Sequence, residues 1–465
     1  MTVESNGSAC NRNPEPQTDS FLRLTIQTGQ ILALRLVPFL CTIALARYLG
    51  AVEFGVYAYV LSWIGILVTI SLFGLDRLVV REVAACTTSV SQAQCRALLR
   101  WANRLSVCLA AAIAVIALSL HSYLAKRAGI PELALVAAVV ITPAVSICTI
   151  HQAVLRGVYW MWTSQLPLSV VRPIVTLLVT VTIGALAGLG PTATVAFIGA
   201  TLAAFAALGT SWRAVTLALP KLRSVTAPYD KRRAWLDSSA RLFLLSGLSS
   251  LTGTEVILLG ASGQLASVGA YAAALQCSAA VSLMLGMVVT VLSPRFAATY
   301  AAAQFELLRK LVLRGQIIVV AVGLPMIILL ASRGDLALRM LYGPEFVQAE
   351  TALRVLVAGQ LINILAGPVA ALLTMTGHER DAVLGVAAAA LVNILFALLL
   401  VPQWGINGAA IAGMSGTVTW NVVLAWRVKK HLGLIWPFVA PGRQSYNEPM
   451  STTSPLSGES DRHIE

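Results

Sequence analysis

Three charged side chains lie inside long apolar stretches of this sequence: Arg35, Arg172 and Glu255. A charge at the centre of a membrane costs about 2.5–3.5 kcal/mol on insertion scales, and such residues usually serve a function. An arginine there could hold an anionic group with its planar fork of N–H donors. A glutamate there could bind a proton or another cation, or could form part of a gate. These residues are the first candidates for a functional site.

Each of the three also has a structural interpretation. Arg35 lies roughly 16 Å along a helix from the start of its stretch, where it could form an ion pair or bind a backbone carbonyl freed by Pro38. Arg172 lies about a turn and a half from the start of its stretch, so its guanidinium could reach the cytoplasmic membrane surface. Glu255 could form a permanent salt bridge with Arg35 or with Arg47.

Membrane-spanning helices are the elements that must position these residues. The chain is 57% hydrophobic and 11% charged, whereas soluble proteins contain about 25% charged residues. A spanning helix needs about 20 mostly apolar residues. We predict an all-α polytopic membrane protein with 12 transmembrane helices, at 24–47, 54–74, 104–121, 133–150, 166–188, 192–212, 241–261, 266–290, 312–332, 354–374, 382–402 and 407–427.

The basic residues indicate the orientation of the chain. With the N-terminus inside, 25 of the 33 Lys and Arg residues fall on the cytoplasmic side and six on the outside, as the positive-inside rule requires. Both termini are therefore predicted to be cytoplasmic. This distribution accounts for the net charge of +13 through contacts with membrane lipids, and it does not call for a nucleic-acid partner.

The two halves of the sequence repeat at an offset of 214 residues, so that Gly55 aligns with Gly269 and Trp212 with Trp426. Six helices in each half make these parallel repeats, and transporters built from such repeats bind substrate between them. The predicted domains are a disordered cytoplasmic N-terminus (1–23), an N-lobe (24–214), a basic cytoplasmic linker (215–239), a C-lobe (240–430) and a cytoplasmic tail (431–465).

Short motifs of glycine, aromatic and charged residues follow one another along almost the whole chain. They are Ala46-Arg47-Tyr48-Leu49-Gly50, Glu53-Phe54-Gly55, Gly74-Leu75-Asp76-Arg77, Val268-Gly269-Ala270-Tyr271, Ser293-Pro294-Arg295, Tyr342-Gly343-Pro344-Glu345-Phe346 and Gly405-Ile406-Asn407-Gly408. In this order and spacing they resemble bacterial polysaccharide and O-antigen flippases, the oligosaccharide-lipid branch of the MATE-like MOP superfamily. The sequence departs from that pattern at Glu255, since many relatives have Asp followed by Arg or Lys where this chain has Glu followed by Val256.

The resemblance implies a V-shaped pair of lobes around a central cavity. It also implies alternating access that moves an undecaprenyl-pyrophosphate-linked oligosaccharide from the inner to the outer leaflet of the bacterial cytoplasmic (inner) membrane. Such a flippase serves O-antigen or exopolysaccharide biosynthesis, is a transporter rather than an enzyme, and needs no cofactor, metal or catalytic residue. Other polysaccharide-assembly proteins are possible partners.

Within this function the charged residues acquire specific roles. The candidates that would bind the pyrophosphate are Arg35, Arg47 and Arg172. Glu255 is the candidate for gating or ion coupling. The candidates for the cytoplasmic mouth are Asp76, Arg77 and Arg81. The mouth residues have an alternative interpretation as pairs along their own helix at a membrane surface.

Two other functions are compatible with a polytopic membrane protein. A cation-coupled multidrug exporter of the same superfamily would need acidic residues deep in the first lobe, and the first six predicted spans contain none. A membrane-embedded polysaccharide polymerase or glycosyltransferase would need a large outer loop or a cytoplasmic domain. The longest predicted outer loop is only about 333–353.

Overall fold

The computed structural model describes residues 17–88, 92–119, 132–186, 188, 190–218, 231–250 and 253–433, and all regular elements in these ranges are helical. The helices are α1 Gln17–Leu72, α2 Leu75–Thr88, α3 Gln92–Ser119, α4 Glu132–Gly157, α5 Met161–Leu166, α6 Arg172–Leu186, α7 Ala193–Ala218, α8 Lys231–Ser250, α9 Thr254–Ala261, α10 Leu265–Ala301, α11 Phe305–Ser332, α12 Gly334–Leu341, α13 Glu350–Ala366, α14 Val369–Met375 and α15 Glu379–Leu432. A π-helical turn, Pro167–Val171, joins α5 to α6, and a 3-10 turn, Pro344–Ala349, precedes α13.

The predicted terminal and linker segments fall largely outside the described residues. These are positions 1–16 of the N-terminal segment, 219–230 of the linker and 434–465 of the tail. Where the structure describes these segments it is helical up to Leu432, because α1 begins at Gln17, α8 begins at Lys231 and α15 ends at Leu432. Below, "first half" means the described residues of 17–218 and "second half" those of 231–433.

Each of the twelve predicted spans overlaps a helix, but the boundaries of the helices differ from those of the predicted spans. Nine helices in the described part of the chain are long and apolar enough to cross a membrane. Two of them, in α1 and α15, each contain two predicted spans, whereas the predicted span 241–261 falls on α8 and α9. The all-helical, multi-pass architecture is confirmed, while twelve crossings and cytoplasmic termini stay predictions.

Single glycine residues separate the paired spans inside α1 and α15. Gly50 has φ 78° and ψ 172°, and Gly405 has φ 52° and ψ −124°. Residues with a Cβ atom rarely adopt positive φ, whereas glycine does so at little cost. Each long helix is therefore two helical segments with a sharp break at a glycine.

Helices α1 and α10 cross with their backbones in direct contact. A Cβ atom on Gly55 would collide with the carbonyl oxygen of Leu265, and a Cβ atom on Gly269 would collide with that of Ala51. Gly55 pairs with Gly269, and Ala51 with Leu265, at the repeat offset of 214 residues. The contact is thus symmetric between the halves, and small residues permit it, as is usual between membrane helices.

A continuous apolar core surrounds this crossing and includes residues of both halves. Phe54, Tyr57 and Phe197 of the first half belong to it, together with Tyr271 and Phe346 of the second half, and all five are buried. The Phe54 and Phe346 rings meet edge to face, with centroids 6.2 Å apart. The halves are therefore packed against each other around α1 and α10.

We predict that Gly55→Ala and Gly269→Ala each destabilise the protein by about 1–3 kcal/mol or more, because the added methyl group has no space between the two backbones. The midpoint of thermal unfolding in detergent measures this loss. Gly65→Ala is the matched control, since Gly65 lies on the same helix with nothing near its missing Cβ atom. Wild-type stability of Gly55→Ala would contradict the described crossing.

Candidate functional site

A cavity of about 740 Å³ lies between the two halves. Its wall includes Arg35 from α1, Arg172 from α6, and Val256 and Gln276 from α9 and α10. On α10 the wall residues follow Gly269, at 272–283, whereas α1 contributes residues from both of its segments, at 35–45 before the break at Gly50 and at 54–68 after it. The cavity therefore begins beside the crossing and extends to one side of it.

Arg35 and Arg172 carry the positive charge of this cavity. Arg35 is exposed and Arg172 is half-buried. Within the described residues, neither guanidinium forms an ion pair or a hydrogen bond, and the cavity wall contains no acidic residue. Two cations without a counter-charge attract an anionic ligand, and their fork geometry suits phosphate oxygens.

Irregular helix geometry accompanies both arginines. Pro38 follows Arg35 by about one turn and cannot donate to the carbonyl of Leu34. The side chain of Gln276 on α10 donates to the carbonyl oxygen of Phe39 at 3.4 Å, which links the two halves in the cavity wall. Arg172 directly follows the π-helical turn Pro167–Val171, and such turns often occur at functional sites because they change which residues face inward.

The structure places Arg47 away from the wall of this cavity. Its Nη1 atom donates to the carbonyl oxygen of Met340 in the second half at 2.9 Å. Arg47 lies just before the break at Gly50, at the end of the first predicted span. It therefore joins the halves at their predicted outer side and lies apart from Arg35 and Arg172.

Glu255 lies in α9 and is only 3% exposed. The hydroxyl of Tyr271 donates to its Oε1 atom at 3.2 Å. The expected bridges from Glu255 to Arg35 or Arg47 do not form, because those arginines face the central cavity and the Met340 carbonyl instead. The prediction of a permanent bridge between the lobes at Glu255 is therefore wrong.

Glu255 lines a second cavity, of about 550 Å³, whose described wall lies entirely in the second half. Amide side chains surround it. Asn421 donates to Asn363 at 3.2 Å, and Asn363 donates to Gln360 at 3.1 Å. In the described structure, two buried acceptor oxygens of the wall residues have no donor: Glu255 Oε2 and Asn393 Oδ1. Unpaired acceptors around a carboxylate suit a small cation.

Two positions of the repeat line both cavities, and at each position the side chain is charged in one half and uncharged in the other. Cys41 in the central cavity is equivalent to Glu255 in the second cavity, and Arg172 in the central cavity is equivalent to Val386 in the second. The same two positions of the repeat thus supply a cation in one cavity and a carboxylate in the other. The two halves therefore differ in charge at equivalent positions of the repeat.

The predicted mouth residues lie on α2, outside the walls of both cavities. Arg81 pairs with the neighbouring Glu82 at 3.0 Å, and its side chain is exposed. Asp76 is half-buried, and its Oδ1 atom has no hydrogen-bond partner in the described residues. Arg77 is also half-buried. A role in admitting the head group stays a prediction for these three residues.

Sequence reasoning missed a charged cluster at the two ends of α15. Asp381 pairs with Arg427 at 2.9 Å and with His431 at 2.7 Å, and the His378 and His431 rings are 4.3 Å apart. About fifty residues separate the partners in the sequence, so no local spacing indicates the cluster. No group of three or more His, Cys, Asp or Glu residues in the described ranges could hold a metal ion.

Comparison with known sequences decides the family. The sequence profile of the family described as "Polysaccharide biosynthesis protein" matches residues 24–300. The chain belongs to this family. The match covers the cavity-lining parts of α1, α6, α9 and α10, and it confirms the family that the sequence motifs indicated. No curated protein matches the chain significantly.

Solved structures show the same fold. An inward-facing multidrug resistance MATE family transporter of the MOP superfamily matches with a TM-score of 0.67 at 15% identity, covering 87% of this chain and 98% of that one. The lipid II flippase MurJ in an inward closed conformation matches with a TM-score of 0.65 at 13% identity, covering 88% and 87%. An outward-facing MATE transporter gives 0.60 at 14% identity, covering 89% and 95%. The protein therefore has the fold of these transporters.

Proposed function

We propose that this polysaccharide biosynthesis protein is a flippase for undecaprenyl-pyrophosphate-linked oligosaccharide. It would move its cargo from the inner to the outer leaflet of the bacterial cytoplasmic membrane by alternating access, for O-antigen or exopolysaccharide assembly. The observation that carries the proposal is that Arg35 and Arg172 line a cavity between the two halves, and that neither has an ion-pair partner among the described residues. The family membership supports a cargo from polysaccharide biosynthesis.

The charges of the cavity favour an anionic head group. Holding Arg35 and Arg172 without a counter-ion inside a membrane is costly, and a bound pyrophosphate would lower this cost. Each guanidinium could donate two parallel hydrogen bonds to phosphate oxygens. A pair of arginines can therefore hold both phosphates while the sugars occupy the rest of the cavity.

The size of the cavity favours a cargo that is only partly enclosed. A volume of about 740 Å³ lies within the usual range for ligand sites, about 300–1,000 Å³. It can accommodate a pyrophosphate and a short saccharide, but not the undecaprenyl chain as well. The polyprenyl tail would remain in the lipid while the head group crosses.

We further propose that Glu255 binds the cation that drives transport. Its carboxylate lies in a separate cavity among unpaired acceptor oxygens, so a proton or Na⁺ can bind there without competing with the anionic cargo. The α9 and α10 helices contribute to both cavities. Occupation of one cavity can thus affect the other through these shared helices.

We predict that Arg35→Ala and Arg172→Ala each reduce translocation at least about tenfold, because each removes a charge-assisted pair of hydrogen bonds to the pyrophosphate. The measurement is movement of a short-chain undecaprenyl-pyrophosphate saccharide across proteoliposome membranes. Arg35→Lys should retain intermediate activity, since it keeps the charge but loses the fork.

Arg213→Ala is the matched control for these variants, because Arg213 is an exposed arginine outside both cavities. It should translocate the lipid at the wild-type rate. Unchanged transport by both Arg35→Ala and Arg172→Ala would exclude the proposed site. Export of cationic dyes by a wild-type protein that moves no lipid would instead favour a multidrug exporter.

For Glu255, we predict that Glu255→Gln abolishes the acceleration of transport by an imposed H⁺ or Na⁺ gradient, since the amide keeps the shape of the side chain without its charge. Exchange of cargo without a gradient should continue. The control is Glu306→Gln, which changes an exposed glutamate beside Arg309. A Glu255→Gln protein that responds to gradients as wild type does would disprove the coupling role.

A further inference from the structure

The break at Gly50 exposes a helix N-terminus that the other half of the molecule caps. The second segment of α1 restarts at Ala51, whose backbone N–H has no partner within its own helix. The Oε2 atom of Glu345, in the 3-10 turn of the second half, accepts a hydrogen bond from this N–H at 2.9 Å. A carboxylate at a helix N-terminus also interacts favourably with the helix dipole.

Two further contacts join the same segments. Arg47 donates to the carbonyl oxygen of Met340 at 2.9 Å, and the rings of Phe54 and Phe346 meet edge to face. The segments carry the motifs Ala46–Gly50 and Tyr342–Phe346, which lie almost three hundred residues apart in the sequence. The predicted topology puts both segments on the outer side of the membrane. The motifs therefore meet across the two halves.

Glycine at position 50 makes this approach possible. Its φ of 78° suits glycine, and a Cβ atom there would lie only 3.0 Å from Glu345 Oε2. One residue thus provides both the break that frees the Ala51 N–H and the space that the carboxylate occupies.

Among the described residues, the cap is present on one of the two equivalent helix starts. Leu265, the first residue of α10, is the repeat equivalent of Ala51, and no side-chain cap hydrogen bond is found at the start of α10 in this part of the chain. The crossing of α1 and α10 is therefore symmetric between the halves, whereas the hydrogen bond between Glu345 and the Ala51 N–H beside it is not. This asymmetry indicates that Glu345 has a role beyond the packing of the fold.

We propose that Glu345 is a latch that holds the outer side of the two halves closed. The proposal rests on the alternating-access part of the proposed function. When the halves separate on the outer side, the carboxylate must leave the helix N-terminus, so the latch favours the closed state.

Spin-label distance measurements test the latch without cargo. Labels at Leu186→Cys and Leu336→Cys, two exposed positions at the predicted outer ends of the two halves, report their separation in lipid nanodiscs. The seven native cysteines are replaced by alanine for this purpose. Glu345→Ala should raise the ratio of open to closed molecules by about two- to thirtyfold, the range for a charge at a helix N-terminus.

A change on the other side of the hydrogen bond makes the test specific. Ala51→Pro removes the N–H donor, yet proline is well tolerated at the first position of a helix. It should shift the distances as Glu345→Ala does, and the double variant should shift them no further. Glu350→Ala is the control, because Glu350 lies close by but pairs with Arg354 within its own helix.

The outcomes separate the latch from the proposed cargo. Matching shifts for Glu345→Ala and Ala51→Pro, with none for Glu350→Ala, support the latch even if the protein moves no lipid-linked saccharide. Wild-type distances in either variant overturn it, even if transport is confirmed. Additive shifts in the double variant also overturn it, because the two groups would then act independently.

Discussion

The structure depends on the backbone contact between α1 and α10 at Gly55 and Gly269. Because neither residue has a side chain, helices from the two halves touch where larger residues would keep them apart. The central cavity begins beside this contact, and the Glu345 cap lies beside it on the predicted outer side. A close crossing with the cavity and the cap on either side of it is a suitable pivot for two rocking halves.

Around this symmetric contact, the two repeats have diverged in charge. The central cavity presents Arg35 and Arg172, while the second cavity presents Glu255 among amide oxygens. The charges of the two cavities are separate in the described structure: Glu255 is buried and accepts a hydrogen bond from the Tyr271 hydroxyl, whereas Arg35 and Arg172 line the other cavity.

Much of this architecture could be predicted from the sequence, because hydrophobic stretches of membrane length and the repeat are local or periodic patterns. The helical spans and the family are examples. The sequence left two interpretations of Arg172 open, a cavity residue or one that reaches the membrane surface, since hydrophobicity does not reveal the π-helical turn that precedes it. The hydrogen-bond partner of Glu255, Tyr271, could not be predicted, because depth in the membrane does not determine the direction in which a residue faces. The Glu345–Ala51 contact and the Asp381 cluster join distant segments, which only the tertiary fold brings together.

The central claim is that the arginine-lined cavity between the halves binds an anionic, lipid-linked head group. The most direct test is a cryo-electron microscopy structure of the protein in nanodiscs with a short-chain undecaprenyl-pyrophosphate saccharide. We predict pyrophosphate density within hydrogen-bond distance of both Arg35 and Arg172, with the lipid chain leaving the cavity towards the membrane. A head group bound in the Glu255 cavity, or a central cavity that stays empty at saturating cargo, would contradict the account.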